Sequence, residues 1–204
     1  MNQTKIHLPA PNQRGETPLE TAIARRRSIR SFTSEQLSQY QLSQLLWAAQ
    51  GVIENLGGFR TVPSAGATYP LELLVLCGES SVEKIGAGIY RYNVDSHSLI
   101  RHLEGDVRRE LAGAALGQDC IYEAPVDIVI CADYERTTIR YGTRGEKYVH
   151  MEVGHAAQNL YLQATALGLG TVVIGAFHDE QVREVLKLEK RCKPLYIMPV
   201  GKPA

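Results

Sequence analysis

The longest predicted helix constrains the fold of this chain more than any other feature. From Glu146 to Leu167, apolar residues recur every three or four positions and form one stripe, the pattern of an amphipathic helix packed on a core. The stripe consists of Val149, Val153, Ala156, Leu160, Ala164 and Leu167. Small residues at 154, 156 and 157 would let another backbone approach closely. The sequence GLG at 168–170 then ends the helix.

Apolar runs on both sides of this helix predict strands. LELLVLCG (71–78), APVDIVICAD (124–133), TVVIGAF (171–177) and PLYIMPVG (194–201) are typical of buried strands, and GIYRYNVDSHSLIRHLEG (88–105) of two strands joined by a turn. A shorter helix is predicted to begin at Thr17, with Thr17 as its cap, Pro18 at the first helical position and Glu20 completing a capping box. Another is predicted over the apolar stripe Leu42, Leu45, Leu46, Ala49 and Ile53. Two more are predicted over 106–117 and 179–188. These elements indicate one α+β domain over 1–204, with an extended leader at 1–16.

The composition narrows the class of protein. The chain has 204 residues, 22 basic and 22 acidic, and this neutral balance argues against a general nucleic-acid binder. The four cysteines form no CxxC pair, which excludes the usual zinc spacings and favours reduced thiols in the cytoplasm. His150 and His155 lie five apart, so they do not match HExxH, and we expect no metal. The sequence shows neither a signal peptide nor an apolar run of about 18 residues, so we expect no membrane association.

One segment concentrates charge on this neutral chain. RRRSIRSF (25–32) holds four arginines around a serine. The arginines could simply complement the negative end of the first helix as a solvated basic face. Alternatively, planar guanidinium groups and a hydroxyl are the donors that suit a phosphate monoester. The segment alone does not name the anion.

No glycine-rich phosphate loop accompanies the arginines. GLGTVVIG (168–175) does not match GxGxxG, and it precedes a predicted strand whereas the dinucleotide fingerprint follows one. A Walker motif is also absent from the sequence. Any cofactor phosphate would therefore be held by side chains.

Five motifs in register identify a family. RRSIRSF, RTVPSAGATYPLEL, GIYRYN, KYVHMEVGHAAQNLYLQATALGLGTVVIGAF and PLYIMPVGKP stand in the order seen in the nitroreductase superfamily of flavoproteins. More narrowly, the chain resembles the SagB-type branch, the thiazole/oxazole-forming peptide dehydrogenases. The resemblance covers about residues 17–203. It implies a mostly antiparallel central sheet flanked by helices.

The resemblance also implies FMN and names residues that bind it. Arg26, Ser28 and Arg30 correspond to the residues that hold the phosphate and ribityl chain, and Arg27 to a main-chain contact with the isoalloxazine ring. The loop that reaches the flavin from the other subunit matches Pro63, Ser64, Ala65 and Gly66, although Ala67 replaces an asparagine. Backbone amides near flavin N5 correspond to Gly175 and Ala176. Lys202 alone remains of a basic pair that often completes the phosphate site, and Arg25 or Arg60 could compensate.

The SagB-type branch shows a Lys-Tyr pair just before the long helix, and Lys147 and Tyr148 stand there. Oxidising an azoline to an azole moves a hydride to flavin N5 and a proton from the adjacent carbon, so a base is needed. A lysine partly desolvated beside a flavin could be that base. Without the resemblance, the same pair would be a solvated lysine and a packing tyrosine.

Three functions remain open at this point. The resemblance favours a cytoplasmic FMN-dependent oxidoreductase that dehydrogenates an azoline-type small molecule or peptide, as a homodimer with shared active sites. The alternative is an NAD(P)H-dependent reductase of nitroaromatics or quinones. The third is a flavin-binding subunit without catalysis.

Overall fold

A seven-stranded sheet runs through the centre of the protein, whose computed structural model describes residues 4–53 and 57–204. The strands in chain order are β1 (Lys5–His7), β2 (Val52–Ile53), β3 (Phe59–Arg60), β4 (Leu71–Cys77), β5 (Gly88–Asn93), β6 (Ser98–Glu104), β7 (Val126–Asp133), β8 (Gly170–Thr171) and β9 (Cys192–Gly201). The sheet order is β1-β6-β5-β4-β7-β9-β8, with every neighbouring pair antiparallel. Strands β2 and β3 form a separate antiparallel pair.

Seven α-helices flank the sheet in the part of the chain that the structure describes. They are α1 (Leu19–Arg25), α2 (Gln39–Gln50), α3 (Arg108–Ala114), α4 (Cys120–Glu123), α5 (Glu135–Tyr141), α6 (Arg144–Ala166) and α7 (Asp179–Val185). The longest, α6, has 23 residues and buries the predicted apolar stripe except for the half-buried Leu167. The prediction for 146–167 is therefore confirmed to within two residues at each end.

The interior strand β7 shows that helices cover both faces of the sheet. All eight of its residues are buried, and successive side chains point to opposite faces. Ile128 and Ile130 belong to the core that α2 and α6 cover, whereas Val129 and Cys131 belong to the core that α3, α4 and α7 cover. This architecture confirms the predicted α+β fold with a mostly antiparallel sheet flanked by helices.

Helix α2 begins at a capping box. The Gln41 backbone N–H donates to the Ser38 side chain at 3.1 Å, and the Ser38 N–H donates to Gln41 Oε1 at 2.9 Å. This reciprocal pair satisfies two backbone donors that a helix start leaves free. Leu42, Leu45 and Leu46 then turn into the core as predicted.

Three details of the sequence prediction are wrong. Thr17 does not cap the first helix, because Pro18 occupies the N-cap and the Thr17 hydroxyl donates to Ala166 O at 3.2 Å instead. The strand predicted over 171–177 extends only over Gly170–Thr171, beyond which Ile174 forms a single bridge to Ile197. Ile53 lies in β2 rather than on α2.

The predicted leader adds an edge strand to the sheet. Lys5–His7 pair with Ile100–Ser98 of β6, so this part of the leader is extended as expected. Residues 1–3 of the leader and residues 54–56 lie outside the described residues. Cys77, Cys120, Cys131 and Cys192 are buried and free. Over 4–53 and 57–204, no helix has the length and apolar character of a membrane span.

Candidate functional site

The arginine segment (25–32) extends from the end of α1, and backbone hydrogen bonds join it and the residue after it to two other parts of the chain. The Ile29 N–H donates to Thr171 O at 2.9 Å, and the Thr33 N–H donates to Lys202 O at 2.9 Å. The segment is therefore fixed against β8 on one side and against the residues that follow β9 on the other.

Tyr161 of α6 fastens the start of this segment. Its hydroxyl lies 3.0 Å from Ser28 Oγ and accepts the Val173 N–H at 2.8 Å. The Arg26 guanidinium carbon lies 5.0 Å from the centroid of the Tyr161 ring, a cation–π distance. The sequence analysis missed Tyr161. The sequence pattern that could have identified it is a tyrosine on the core-facing side of the predicted long helix, because a buried tyrosine hydroxyl needs a polar partner.

The side chains of Arg27 and Lys202 are engaged elsewhere. Arg27 Nη1 donates to Ala24 O at 2.9 Å and to Arg26 O at 2.8 Å, so this side chain caps the carboxyl end of α1. Only the main chain of Arg27 is left for the predicted flavin contact. Lys202 Nζ forms an exposed ion pair with Glu35 Oε2 at 2.5 Å. Lys202 must leave Glu35 before it can bind a phosphate.

Gly175 and Ala176 lie on the same side of the molecule as Arg30. Both are exposed, and Gln118 Nε2 donates to Ala176 O at 3.0 Å. Burial raises the pKa of the Cys120 thiol and the positive charge of Arg30 opposes this shift, so Arg30 lies near the start of α4. Residues 118–120 therefore lie beside both Ala176 and Arg30.

These residues fit the phosphate of a flavin mononucleotide. Arg26 and Arg30 supply guanidinium donors and Ser28 a hydroxyl, which is the donor set of a phosphate site. Thr171, whose backbone bridges Ser28, has a buried hydroxyl without a partner among the residues that the structure describes. We call Arg26, Ser28, Arg30, Tyr161, Gly175 and Ala176 the arginine group.

A second set of predicted residues forms the loop Pro63–Ala67. Ser64 Oγ accepts the Tyr69 N–H at 3.0 Å, and Arg140 Nη1 donates to Gly66 O at 3.1 Å. Gly66 has φ of 60°, and a Cβ there would lie 2.5 Å from the Tyr141 hydroxyl oxygen, so a side chain at this position would be strained and would displace Tyr141. Ala67 also has positive φ, 53°, a conformation that the family's asparagine adopts more readily.

Tyr148 lies near this loop, and Lys147 precedes it on α6. Tyr148 packs edge-on against Tyr141, with ring centroids 5.1 Å apart, and Tyr141 is the neighbour of Gly66. Lys147 is exposed in the first turns of α6. We call Pro63–Ala67, Tyr141, Lys147 and Tyr148 the loop group.

One chain does not bring the two groups together. The loop group lies at the amino end of α6 and the arginine group near its carboxyl end. Thirteen residues separate Tyr148 from Tyr161, which is about 20 Å along a helix at 1.5 Å per residue. Arg60 lies on the loop side, because Nη1 donates to Gln50 Oε1 at 2.8 Å and its guanidinium stacks on Tyr69. Within one chain Arg60 therefore lies apart from the arginine group.

Glu152 is a buried carboxyl beside the loop group, which the sequence analysis also missed. Its side chain on α6 is only 3% exposed, and Oε1 has no partner among residues 4–53 and 57–204. Burial raises the pKa of Glu152 to about 7, although a hydrogen bond with Ser64 and the charge of Arg60 oppose the shift. The carboxyl therefore changes protonation state near neutral pH.

This shift predicts a pH-dependent stability. A carboxyl whose pKa is raised on folding stabilises the protein at low pH, and that contribution is lost as pH rises from about 4.5 to about 7. We expect Glu152→Gln to be more stable than the parent protein at about pH 8, by up to about 3 kcal/mol, with a smaller difference at about pH 5. Urea unfolding at both pH values measures this. Glu146→Gln, an exposed carboxylate on the same helix, is the control, and an equal difference at both pH values would contradict the interpretation.

The comparisons with known proteins define the class. The Nitroreductase family model matches residues 23–202. "Putative nitroreductase MJ1384" of Methanocaldococcus jannaschii is 51% identical over 187 residues, which are 92% of each chain. "FMN reductase [NAD(P)H]" of Bacillus subtilis is 29% identical over 192 residues, 87% of this chain and 63% of that protein.

Two solved structures extend the comparison. A crystal structure from Ralstonia eutropha, described as a nitroreductase, superposes with a TM-score of 0.85 at 32% identity, covering 98% of this chain and 90% of that one. The Escherichia coli microcin synthetase McbBCD complex, with truncated pro-MccB17 bound, contains a chain that superposes with a TM-score of 0.77. That chain is 25% identical, and the match covers 96% of this chain and 76% of that one.

The fold and the relatives together define a flavin-dependent oxidoreductase. The chain belongs to the nitroreductase family, which confirms the predicted superfamily, the enzyme class and FMN as the cofactor.

Proposed function

We propose that this protein is an FMN-dependent dehydrogenase of the SagB type, which oxidises azoline rings in a peptide or a small molecule. The observation that carries the proposal is the loop group, in which Tyr148 packs on Tyr141 beside Gly66, and Lys147 precedes Tyr148 on α6. Similarity to a chain of the McbBCD complex supports it, because a truncated precursor is bound in that assembly.

The arginine group would hold the cofactor. Arg26, Ser28 and Arg30 would bind the phosphate, and the amides of Gly175 and Ala176 would lie at the ring. When bound, FMN supplies the hydride acceptor. The protein's contribution is to hold the cofactor and the substrate in fixed positions and to exclude competing reactions.

The loop group would provide the base. In the proposed reaction Lys147 would take the proton from the carbon adjacent to the one that loses hydride. Tyr148, held edge-on by Tyr141, would orient the lysine or the substrate. The ammonium that forms would return its proton to solvent, since Lys147 is exposed in the single chain.

A homodimer would bring the two groups together. Within one chain they lie about 20 Å apart along α6. Between them, Met151, Gly154 and His155 form an exposed strip on α6, and a Cβ at Gly154 would touch nothing. A second copy packed on this strip would place its loop group against the arginine group of the first. Ser64 would then act in the partner's site.

Reduction of an acceptor by NAD(P)H is the second candidate function, and the similarity to the Bacillus subtilis FMN reductase favours it. Rapid mixing of the FMN-loaded protein with NADPH without oxygen separates the two. For the dehydrogenase we expect the yellow flavin absorbance to persist over seconds. Its rapid loss would instead establish the reductase and remove the case for azoline oxidation.

A further inference from the structure

The side chain of His97 joins the turn between β5 and β6 to three other parts of the chain. Its Nδ1 lies 2.7 Å from the hydroxyl oxygen of Tyr92 on β5. Its Nε2 lies 2.7 Å from Ser43 Oγ on α2 and 3.0 Å from Pro9 O, two residues after β1. The Ser43 hydroxyl also donates to Pro9 O, at 2.6 Å. We call these four residues the histidine network, in which Ser43 and Tyr92 are buried.

These distances assign one neutral tautomer to His97. A carbonyl oxygen only accepts hydrogen bonds, so Nε2 carries the proton that faces Pro9 O. Nδ1 then accepts from the Tyr92 hydroxyl, and every polar group of the network has a partner. The opposite tautomer would place two acceptors, Nε2 and Pro9 O, 3.0 Å apart, and it would draw the Ser43 proton away from Pro9 O.

A second proton on His97 would break this pattern of donors and acceptors. It would lie on Nδ1, so the Tyr92 hydroxyl would have to accept where it now donates. Within residues 4–53 and 57–204, that hydroxyl has no other hydrogen-bond partner, and a buried donor without an acceptor is costly. Burial accordingly lowers the pKa of His97 below its ordinary value, although the bond to Pro9 O opposes the shift.

The charged and titratable groups around the network do not stabilise a protonated His97. Asp95, in the same turn, is exposed to solvent, and α2 has no charged residue. Burial raises the pKa of Tyr92, and the positive charge of Arg60 opposes this shift, so the nearby charge on the β5 side is positive. On the leader, His7 is exposed. The neutral form of His97 is therefore the one that fits the closed structure.

The network holds the leader against the edge of the sheet. The Leu8 N–H donates to His97 O at 3.1 Å, and the Arg101 N–H donates to Thr4 O at 3.0 Å, so these bonds lie at the two ends of the β1–β6 pair. The Leu8 side chain is buried in the core. Strand β1 is the outermost strand of the sheet on this side, so its departure would leave backbone groups of β6 unpaired.

We propose that His97 is an acid-sensitive latch, whose neutral form holds β1 on the sheet and whose protonation releases β1 and uncovers the edge of β6. This inference goes beyond the proposed function, because the latch uses no residue of the arginine group or the loop group. A histidine whose pKa is lowered in the closed state stabilises that state fully above its ordinary pKa of about 6.5, and the contribution is lost as pH falls.

Hydrogen exchange of the FMN-loaded protein, followed by NMR, measures the release of β1. After correction for intrinsic exchange rates, the opening equilibrium at the Leu8 and Arg101 amides should rise up to about ten-fold from about pH 7.5 to about pH 5.5. The Ile29 amide, which donates to Thr171 O near the opposite edge of the sheet, reports any opening shared by the whole protein. Imidazole nitrogen spectra at about pH 7.5 should show the tautomer with its proton on Nε2.

One variant and a matched control test the latch. His97→Gln keeps a donor that can face Pro9 O but cannot titrate, so opening at the Leu8 amide should lose its pH dependence. His7→Gln removes an exposed histidine of β1 itself and should keep that dependence. The proposal is overturned by a proton on Nδ1 in the neutral form, by opening of the parent protein that is the same at both pH values, or by a pH dependence that persists in His97→Gln.

Discussion

Replacing Arg26 and Arg30 together with alanine is expected to release FMN from the purified protein. Each charge-assisted hydrogen bond to a phosphate contributes roughly 1.5–3 kcal/mol, so losing both should weaken FMN binding about 10²–10⁴-fold. The structure supports the choice of residues, since Arg26 stacks on Tyr161 and the segment is fixed on both sides by backbone bonds. Flavin absorbance after gel filtration, followed by titration with FMN, measures the loss.

The neighbouring arginine provides a matched control. Arg27→Ala removes the same charge, but its side chain bonds Ala24 O and Arg26 O at the end of α1. We expect this variant to lose some helix stability and to keep FMN within a few-fold of the parent affinity. Riboflavin, which lacks the phosphate, should bind the parent protein far more weakly than FMN. A double variant that retains full FMN affinity would show that the phosphate lies elsewhere.

Replacing Lys147 with methionine should slow turnover of an azoline substrate about 10²–10⁴-fold, the usual loss when general-base assistance is removed. Methionine keeps the bulk of the lysine stem, so FMN should bind normally. Because the interaction strengthens in the transition state, the effect should fall on kcat more than on substrate binding. Turnover is measured with a synthetic azoline-containing peptide at saturating oxygen.

Two further variants separate a base from a packing residue. Tyr148→Phe should have a smaller effect if the hydroxyl only orients the lysine, since the ring still packs on Tyr141. Lys190→Met, at another exposed lysine, is the control for the loss of one positive charge and should leave turnover unchanged. Unchanged turnover in Lys147→Met would show that this lysine is only a solvated residue at the start of α6.

The fold could be predicted largely because its signals are local. The apolar stripe of α6 and the apolar run of β7 indicate directly which faces of these two elements are buried in the core. The errors arose where a contact distant in sequence decides the outcome. Thr17 finds its partner at Ala166, which removes it from the helix cap. The residues after Thr171 are as apolar as a strand, yet only Ile174 among them pairs with β9.

The candidate site was predictable only in part. The family motifs pointed to the arginines and to the loop, but no local pattern says that Tyr161 binds Ser28 or that Glu152 lies buried beside Ser64. Each of these contacts joins α6 to a segment at least 88 residues away.

The way the arginine segment is held bears on when a newly made chain can capture its cofactor. Residues Arg26 to Arg30 emerge from the ribosome early. The backbone partners of this segment, Thr171 and Lys202, emerge much later. Until then the arginines sit on a nascent chain without the two neighbours that order them. Binding of FMN should therefore follow the emergence of Lys202 from the ribosome, and it would finish folding rather than nucleate it.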